Sequence, residues 1–194
     1  MTQPDDSYRA PPVPPAPGMG AGAARLARIL RVDHAGELAA VHIYRGQQAV
    51  FAAARGREGV EAEVAHMGVQ EEAHLKAFDG MLTERGVRPS LLSPVWRAAG
   101  FALGAATALM GEKAAYACTE AVETVIEQHY AGQIEELKDR EPALAAALDG
   151  YRTDELAHRD LAIGEGAREA PGYGLLAAVV RAGCRAAIKV AERV

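Results

Sequence analysis

The chain has 194 residues, about half of them apolar but only 5% aromatic, and a formal net charge of −5. That length suits one well-buried domain, the alanine-rich, aromatic-poor composition favours packed helices over sheets, and the mild acidity argues against general nucleic-acid binding. The two cysteines, Cys118 and Cys184, cannot build a framework of bridges and lack metal-binding spacing, so they read as small buried residues in a reducing compartment.

Residues 1–22 contain the run from Ala10 to Gly18, rich in proline, which excludes a helix and has little to bury, so a disordered tail is expected there. The tail carries Asp5 and Asp6 and no apolar stretch of the kind a secretory signal needs. Residues 23–194 are expected to form a single all-α domain. Helical spacing runs from Ala23 to about Ala54 and, after the turn Gly56-Arg57-Glu58-Gly59, from Val60 to about Arg85, where Gly86 and Pro89 stop it. Leu91 to Met110 is apolar but interrupted by Pro94 and Arg97; the run left from Ala98 to Met110 is too short to span a bilayer and suits a core or interfacial segment. A third long helix is expected from Glu112 to Lys138, and a fourth, opened by Pro142, to about Ala167. From Tyr173 onward Arg181, Arg185, Lys189 and Arg193 recur every four residues against Val179, Val180, Ile188 and Val190, the pattern of an amphipathic helix on a membrane surface. Segments 91–110 and 173–194 are thus read as membrane-facing.

One pattern of acids and imidazoles occurs twice. Glu37 is followed by Glu71-x-x-His74, and Glu123 is followed at nearly the same interval by Glu155-x-x-His158. Residues three apart share a helix face, so each Glu-x-x-His aims a carboxylate and an imidazole at one point. Two single glutamates plus two Glu-x-x-His pairs is the ligand inventory of a carboxylate-bridged two-metal helix bundle. A third copy, Glu63-x-x-His66, lies eight residues before Glu71 and so about 80° around the helix, which excludes it from the same centre. Apolar neighbours such as Leu38 and Val41 around Glu37, and Val122 and Val125 around Glu123, imply buried carboxylates, and a cation is what compensates them. Oxygen donors with some nitrogen point to iron or manganese, and two such ions can reduce dioxygen. The repeat also places Tyr44 and Tyr130 seven residues after Glu37 and Glu123, on the stripes of those acids. Asp33, His34, His129 and Tyr130 lie close enough to hold a ligand in place, and Tyr130 could also relay a proton.

The segments Arg31-Val32-Asp33-His34-Ala35-Gly36-Glu37, Gln70-Glu71-Glu72-Ala73-His74-Leu75, Gly100 to Ala105, Ala117 to Glu123, and Asp154-Glu155-Leu156-Ala157-His158 together resemble the demethoxyubiquinone hydroxylases of ubiquinone biosynthesis. The resemblance runs from about Ala24 to the end, with motif order and spacing in agreement. It implies a ferritin-like four-helix bundle, with an added interfacial apolar segment and a C-terminal amphipathic helix. It also implies a di-iron monooxygenase that uses dioxygen to hydroxylate the ring of a demethoxylated polyprenyl quinone, the 3-hydroxylation of demethoxyubiquinol. By position the resemblance makes Glu37, Glu71, His74, Glu123, Glu155 and His158 ligands of two iron ions per chain, His129 and Tyr130 catalytic-site neighbours, and Arg28 and Arg185 contacts of reductant or quinone. Lys189 stands where some members carry tyrosine. With no flavin or dinucleotide fingerprint in the chain, electrons are expected from outside, from a nicotinamide such as NADH or from the reduced quinone itself, and the bilayer-confined substrate implies peripheral attachment to the cytoplasmic face of the inner membrane. The apolar surfaces leave self-association or a lipid-presenting partner open. A ferritin-like iron oxidase or peroxidase, and a metal-free membrane-surface adaptor, remain as the alternatives.

Overall fold

The computed structural model describes residues 19–193, and all regular structure among them is helical. Six α-helices follow in order: α1 (Met19–Ala52), α2 (Glu58–Glu84), α3 (Ser93–Leu109), α4 (Glu112–Leu137), α5 (Pro142–Gly164) and α6 (Tyr173–Ala191), with a short 3-10 turn at Ala167–Glu169. Most of the proline-rich tail lies outside the described residues. Its last residues, Met19 to Gly22, instead open α1, because only proline forbids a helix there and the proline run ends at Pro17. The fourth helix stops at Gly164, short of the expected Ala167, since Gly166 takes a left-handed φ of 86° that an α-helix cannot continue through.

The helix ends follow local chemistry. At the end of α2, Gly86 adopts φ 62° and the Val87 amide donates to the Leu82 carbonyl at 2.8 Å, the bond that closes a Schellman cap. Pro94 and Pro142 sit in the first turns of α3 and α5, where the missing N–H has no helical partner to lose. Met110 and Gly111 alone join α3 to α4, and the φ of 115° at Gly111 reverses the chain in that space.

Helices α1 and α2 form one hairpin and α4 and α5 another, and the two pack together as a four-helix bundle. The remaining helices extend the repeat: α3 turns back onto α1, and α6 turns back onto α4. Each half is therefore a three-helix unit, where the sequence suggested a two-helix hairpin plus an outlying segment. Two apolar clusters fill the bundle. One gathers Phe51, Val60, Val64, Met67, Tyr116 and Ala162 near the α1–α2 turn, and the other gathers Ile29, Phe78, Leu82, Leu137, Leu144 and Leu148 near the α4–α5 turn. Between them lies a layer of buried acids and imidazoles.

The contact of α3 with α1 is backbone against backbone. A methyl group on Gly104 would lie 2.0 Å from the Ile43 carbonyl oxygen, one on Gly100 2.5 Å from that of Ala39, and one on Gly46 2.3 Å from that of Phe101. Glycine four residues apart on α3, facing a small residue of α1, lets the helices meet this closely. The inward face of α3 is thus Gly100, Gly104, Thr107 and Ala108, while Val95, Phe101 and Leu109 point outward. Gly104→Ala is expected to force the two helices apart and to destabilise the protein by at least the ~1–3 kcal/mol typical of an overpacked interior. Chemical denaturation would show it as a lower midpoint, whereas Gly150→Ala, where an added methyl group meets nothing within 4 Å, would not share that loss.

Candidate metal centre

Glu37 and Glu123 lie about four helical turns before the ends of α1 and α4, and Glu71 and Glu155 about four turns into α2 and α5. At 1.5 Å per residue all four sit roughly 20 Å from the turn of their hairpin. That common depth converts a sequence interval into a spatial layer. Glu37, Glu71, Glu123, Glu155, His74 and His158 are all buried. Donor atoms from Glu37, Glu71, His74 and Glu155 lie within 4.8 Å of one another, and so do those of Glu71, Glu123, Glu155 and His158. The two quartets share Glu71 and Glu155. Each quartet adds one further glutamate and one imidazole of its own.

The inward atoms have no other partner. Both oxygens of Glu71 and of Glu155, Oε2 of Glu37 and of Glu123, and Nδ1 of His74 and of His158 are buried without a hydrogen bond. Nδ1 of His74 lies 3.6 Å from Glu37 and 3.4 Å from Glu155; Nδ1 of His158 lies 3.1 Å from Glu71 and 3.5 Å from Glu155. Buried polar atoms are normally paired, and eight facing one another mark a place for cations. The donor set fits two ions of the iron or manganese kind, with Glu71 and Glu155 able to bridge.

The outward atoms are braced across the two halves. Tyr44 donates to Glu123 Oε1 at 2.7 Å, and Tyr130 donates to Glu37 Oε1. Sequence spacing set each tyrosine on the stripe of its own half's glutamate; in the bundle that stripe faces the opposite half, so each hydroxyl reaches the other half's acid. His74 Nε2 meets Asp154 Oδ2 and His158 Nε2 meets Gln70 Oε1, both at 3.0 Å. These contacts turn Nδ1 of each imidazole toward the acids. Gln133 donates to Asp33 Oδ1 at 2.7 Å, and its counterpart Gln47 lies 3.5 Å from the Thr119 hydroxyl.

The other expected residues fall in distinct places. His129 Nε2 is 2.9 Å from Gln133 Nε2 and 3.3 Å from Asp33, one step removed from the cluster and partly open to solvent. His34 pairs with Asp79 at 3.0 Å, away from the six acids and imidazoles. Glu63 accepts from Tyr116 and His66 is exposed, so that pair stays outside both quartets. Arg28 and Arg185 are exposed on α1 and α6. Gln70 and Asp154 were not singled out from the sequence, although each directly precedes the glutamate of its Glu-x-x-His pair and so occupies equivalent repeat positions. Arg181, grouped by its spacing with the lipid-facing basic residues, points inward: its Nη2 bonds both oxygens of buried Glu120 at 2.9 and 2.8 Å and ties α6 to α4.

The comparisons with known proteins agree with this geometry. The family model for "Ubiquinone biosynthesis protein COQ7" matches residues 24–191. The chain belongs to that family. It is 49% identical over 178 residues to a 3-demethoxyubiquinol 3-hydroxylase of Rhodospirillum rubrum, covering 92% of this chain and 82% of that protein. It is 45% identical to the NADPH-dependent 3-demethoxyubiquinone 3-hydroxylase of Mus musculus mitochondria, over 86% of this chain and 76% of that protein. With the 5-demethoxyubiquinone hydroxylase of Saccharomyces cerevisiae mitochondria it shares 40% over 90% of this chain and 80% of that protein.

Crowded acids hold protons when no cation is bound. Burial, then repulsion from the neighbouring glutamates, raises the carboxyl groups of Glu71 and Glu123 well above the ordinary 4.5, and burial also raises Glu155. Burial opposes a charge on His74, but the carboxylates of Glu155 and Glu37 outweigh it and push the imidazole up to about 11; burial lowers His158. Three carboxyls and His74 thus bind more protons folded than unfolded as pH climbs from 4.5, which makes stability fall with rising pH, while His158 alone acts in the opposite sense. In chelator, the melting temperature is expected to drop between about pH 5 and about pH 8. A divalent cation should reverse that slope, because it displaces those protons and binds more tightly as pH rises; a melting temperature that climbs with pH in chelator would contradict the placement of these groups.

Proposed function

We propose that this chain is a 3-demethoxyubiquinol 3-hydroxylase, a monooxygenase that inserts one atom of dioxygen into the ring of a demethoxylated polyprenyl quinol. The observation that carries the reading is the pair of buried, overlapping donor quartets in a member of this family. Glu37, Glu71, His74 and Glu155 would hold one iron ion, and Glu71, Glu123, Glu155 and His158 the other. Bound there, the two ions would supply the electron transfer to dioxygen that organic side chains cannot perform. One oxygen atom enters the ring and the other leaves as water, with two electrons and two protons taken up. The mouse relative is named for NADPH, which supports a nicotinamide over the reduced quinone as the external reductant. Arg28 and Arg185 are its candidate contacts.

The chain's own residues prepare the centre. The Tyr44 and Tyr130 hydroxyls each occupy one oxygen of a terminal glutamate and leave the other for a cation. Asp154 and Gln70 orient the imidazoles. His129, at the partly exposed end of a contact with Asp33, offers solvent protons a route inward beside Tyr130.

The substrate path is apolar. A small crevice of about 80 Å³, open to solvent, runs between α1, α3, α4 and α6, lined by Val32, Gly36, Ala39, Ile43, Trp96, Val122, Ile126 and Ile188. Gly36 and Val122 directly precede Glu37 and Glu123 along the chain, so the crevice wall adjoins the ligand-bearing stretches of α1 and α4. Apart from the crevice, the outward faces of α3 and α6 expose Val95, Phe101, Leu109, Leu175 and Val179, with Leu109 76% and Leu175 74% exposed. Among the described residues no helix is long and apolar enough to cross a membrane. Such an exposed apolar surface, with Arg185 and Lys189 also exposed on α6, supports peripheral attachment to the cytoplasmic face of the inner membrane, from which a long-tailed quinol could reach the crevice.

Reconstituted protein is expected to hold about two iron ions per chain and, given dioxygen, reductant and a short-tailed demethoxyubiquinol, to yield the hydroxylated ring by mass spectrometry. Glu155→Ala, which removes a carboxylate shared by both quartets, should abolish product and most of the iron; iron binding and oxygen consumption without product would leave a ferritin-like oxidase instead. Leu175→Glu together with Val179→Glu should lower co-flotation with anionic vesicles by about tenfold or more while the iron content stays intact. Equal flotation would place the membrane contact elsewhere.

A further inference from the structure

The bundle is pseudo-symmetric, and around the acids and imidazoles its symmetry fails in charge. Glu37 corresponds to Glu123, Glu71 to Glu155, His74 to His158 and Tyr44 to Tyr130 in the repeat. The imidazole partners do not match: His74 Nε2 meets the Asp154 carboxylate, whereas His158 Nε2 meets the Gln70 amide, at the same 3.0 Å. The residues one turn before the terminal glutamates differ in the same sense. Asp33, buried and with Oδ2 unpartnered, precedes Glu37, while its counterpart before Glu123 is the neutral Thr119. The Glu123 side does carry an acid in Glu120, but Arg181 discharges it through both oxygens.

We infer that the two cation positions are inequivalent, and that Asp154 and Gln70 are the positioning residues that set the difference: the position formed by Glu37, Glu71, His74 and Glu155 fills first and holds its cation more tightly. A carboxylate on the outer nitrogen of a ligating imidazole makes the inner nitrogen a stronger donor and adds negative charge near the ion, which an amide does not. Asp154 is 42% exposed at its side chain, so solvent screens part of that charge. Asp33 is fully buried and lies on the same side, where His129 at 3.3 Å and Gln133 at 2.7 Å offset part of its effect. The inference rests on the two-cation reading of the site.

The test is a titration of the metal-free full chain with Mn(II) under exclusion of oxygen, following unbound ion by electron paramagnetic resonance and helicity by circular dichroism. Two resolved binding steps are expected. Asp154→Asn, which keeps a hydrogen-bond acceptor and removes the charge, should weaken the first step by about tenfold, and Gln70→Glu should tighten the second and draw the steps together. Glu37→Ala should abolish the tight step and Glu123→Ala retain it. Two ions bound in one indistinguishable step, or a first step unchanged in Asp154→Asn and a second unchanged in Gln70→Glu, would overturn the inference while leaving a two-cation site intact. No bound ion at all would overturn the site reading and the inference together. Should Asp154→Asn lose helicity, the Gln70→Glu and Glu37→Ala isotherms decide the outcome.

Discussion

Four buried carboxylates and two buried imidazoles converge on one small volume, and the rest of the structure serves that constraint. Desolvating one such acid without compensation costs several kcal/mol, and neighbouring acids repel. The fold meets this cost at the outward atoms through tyrosine hydroxyls, an amide and a carboxylate. The inward atoms are left for cations. Apolar clusters above and below the layer hold the four helices in register and exclude bulk water from it.

The bracing is mutual. Tyr44 of α1 holds an acid of α4, Tyr130 of α4 holds an acid of α1, α5 orients the imidazole of α2, and α2 orients that of α5. Neither hairpin can position its own ligands unaided. A centre of this kind therefore forms only when the two halves dock, which couples folding of the bundle to assembly of the site. The same cross-bracing explains why the residues that hold the ligands repeat with the ligands themselves.

Helices α3 and α6 flank the crevice proposed as the substrate's route to this layer. Glycine at Gly100 and Gly104 lets α3 lie against α1 at backbone distance, and the Arg181–Glu120 pair fastens α6 to α4. Each thereby presents one apolar face outward while the crevice between them reaches the walls that bear Glu37 and Glu123. Their inward contacts belong to packing. Their outward residues form the exposed apolar surface proposed to meet the membrane.

The clustering of the six candidate ligands was legible in the sequence because helical periodicity and a repeated interval are local properties: Glu-x-x-His fixes a shared face, and the matched intervals from Glu37 to Glu71 and from Glu123 to Glu155 set a shared depth once the chain reverses. For the same reason Glu63 and His66 could be set aside by their angle around α2. The helix stop at Gly86 and the helix start at Pro142 were legible too, since backbone conformation at glycine and proline is written in the residue type. Partnerships across helices were not. Nothing in the spacing of Tyr44 says that it reaches Glu123, nothing in a run of basic residues says that Arg181 turns inward to Glu120, and Gln70 and Asp154 carry no signal beyond their place in the repeat. Such contacts depend on which faces meet when distant segments pack, and on the close backbone approach that Gly104 permits. The sequence by itself determined the helices, the candidate ligands and the Glu63–His66 pair kept apart from them; the tertiary structure alone decided what each of those side chains leans on, because that is a property of facing surfaces and not of any one of them.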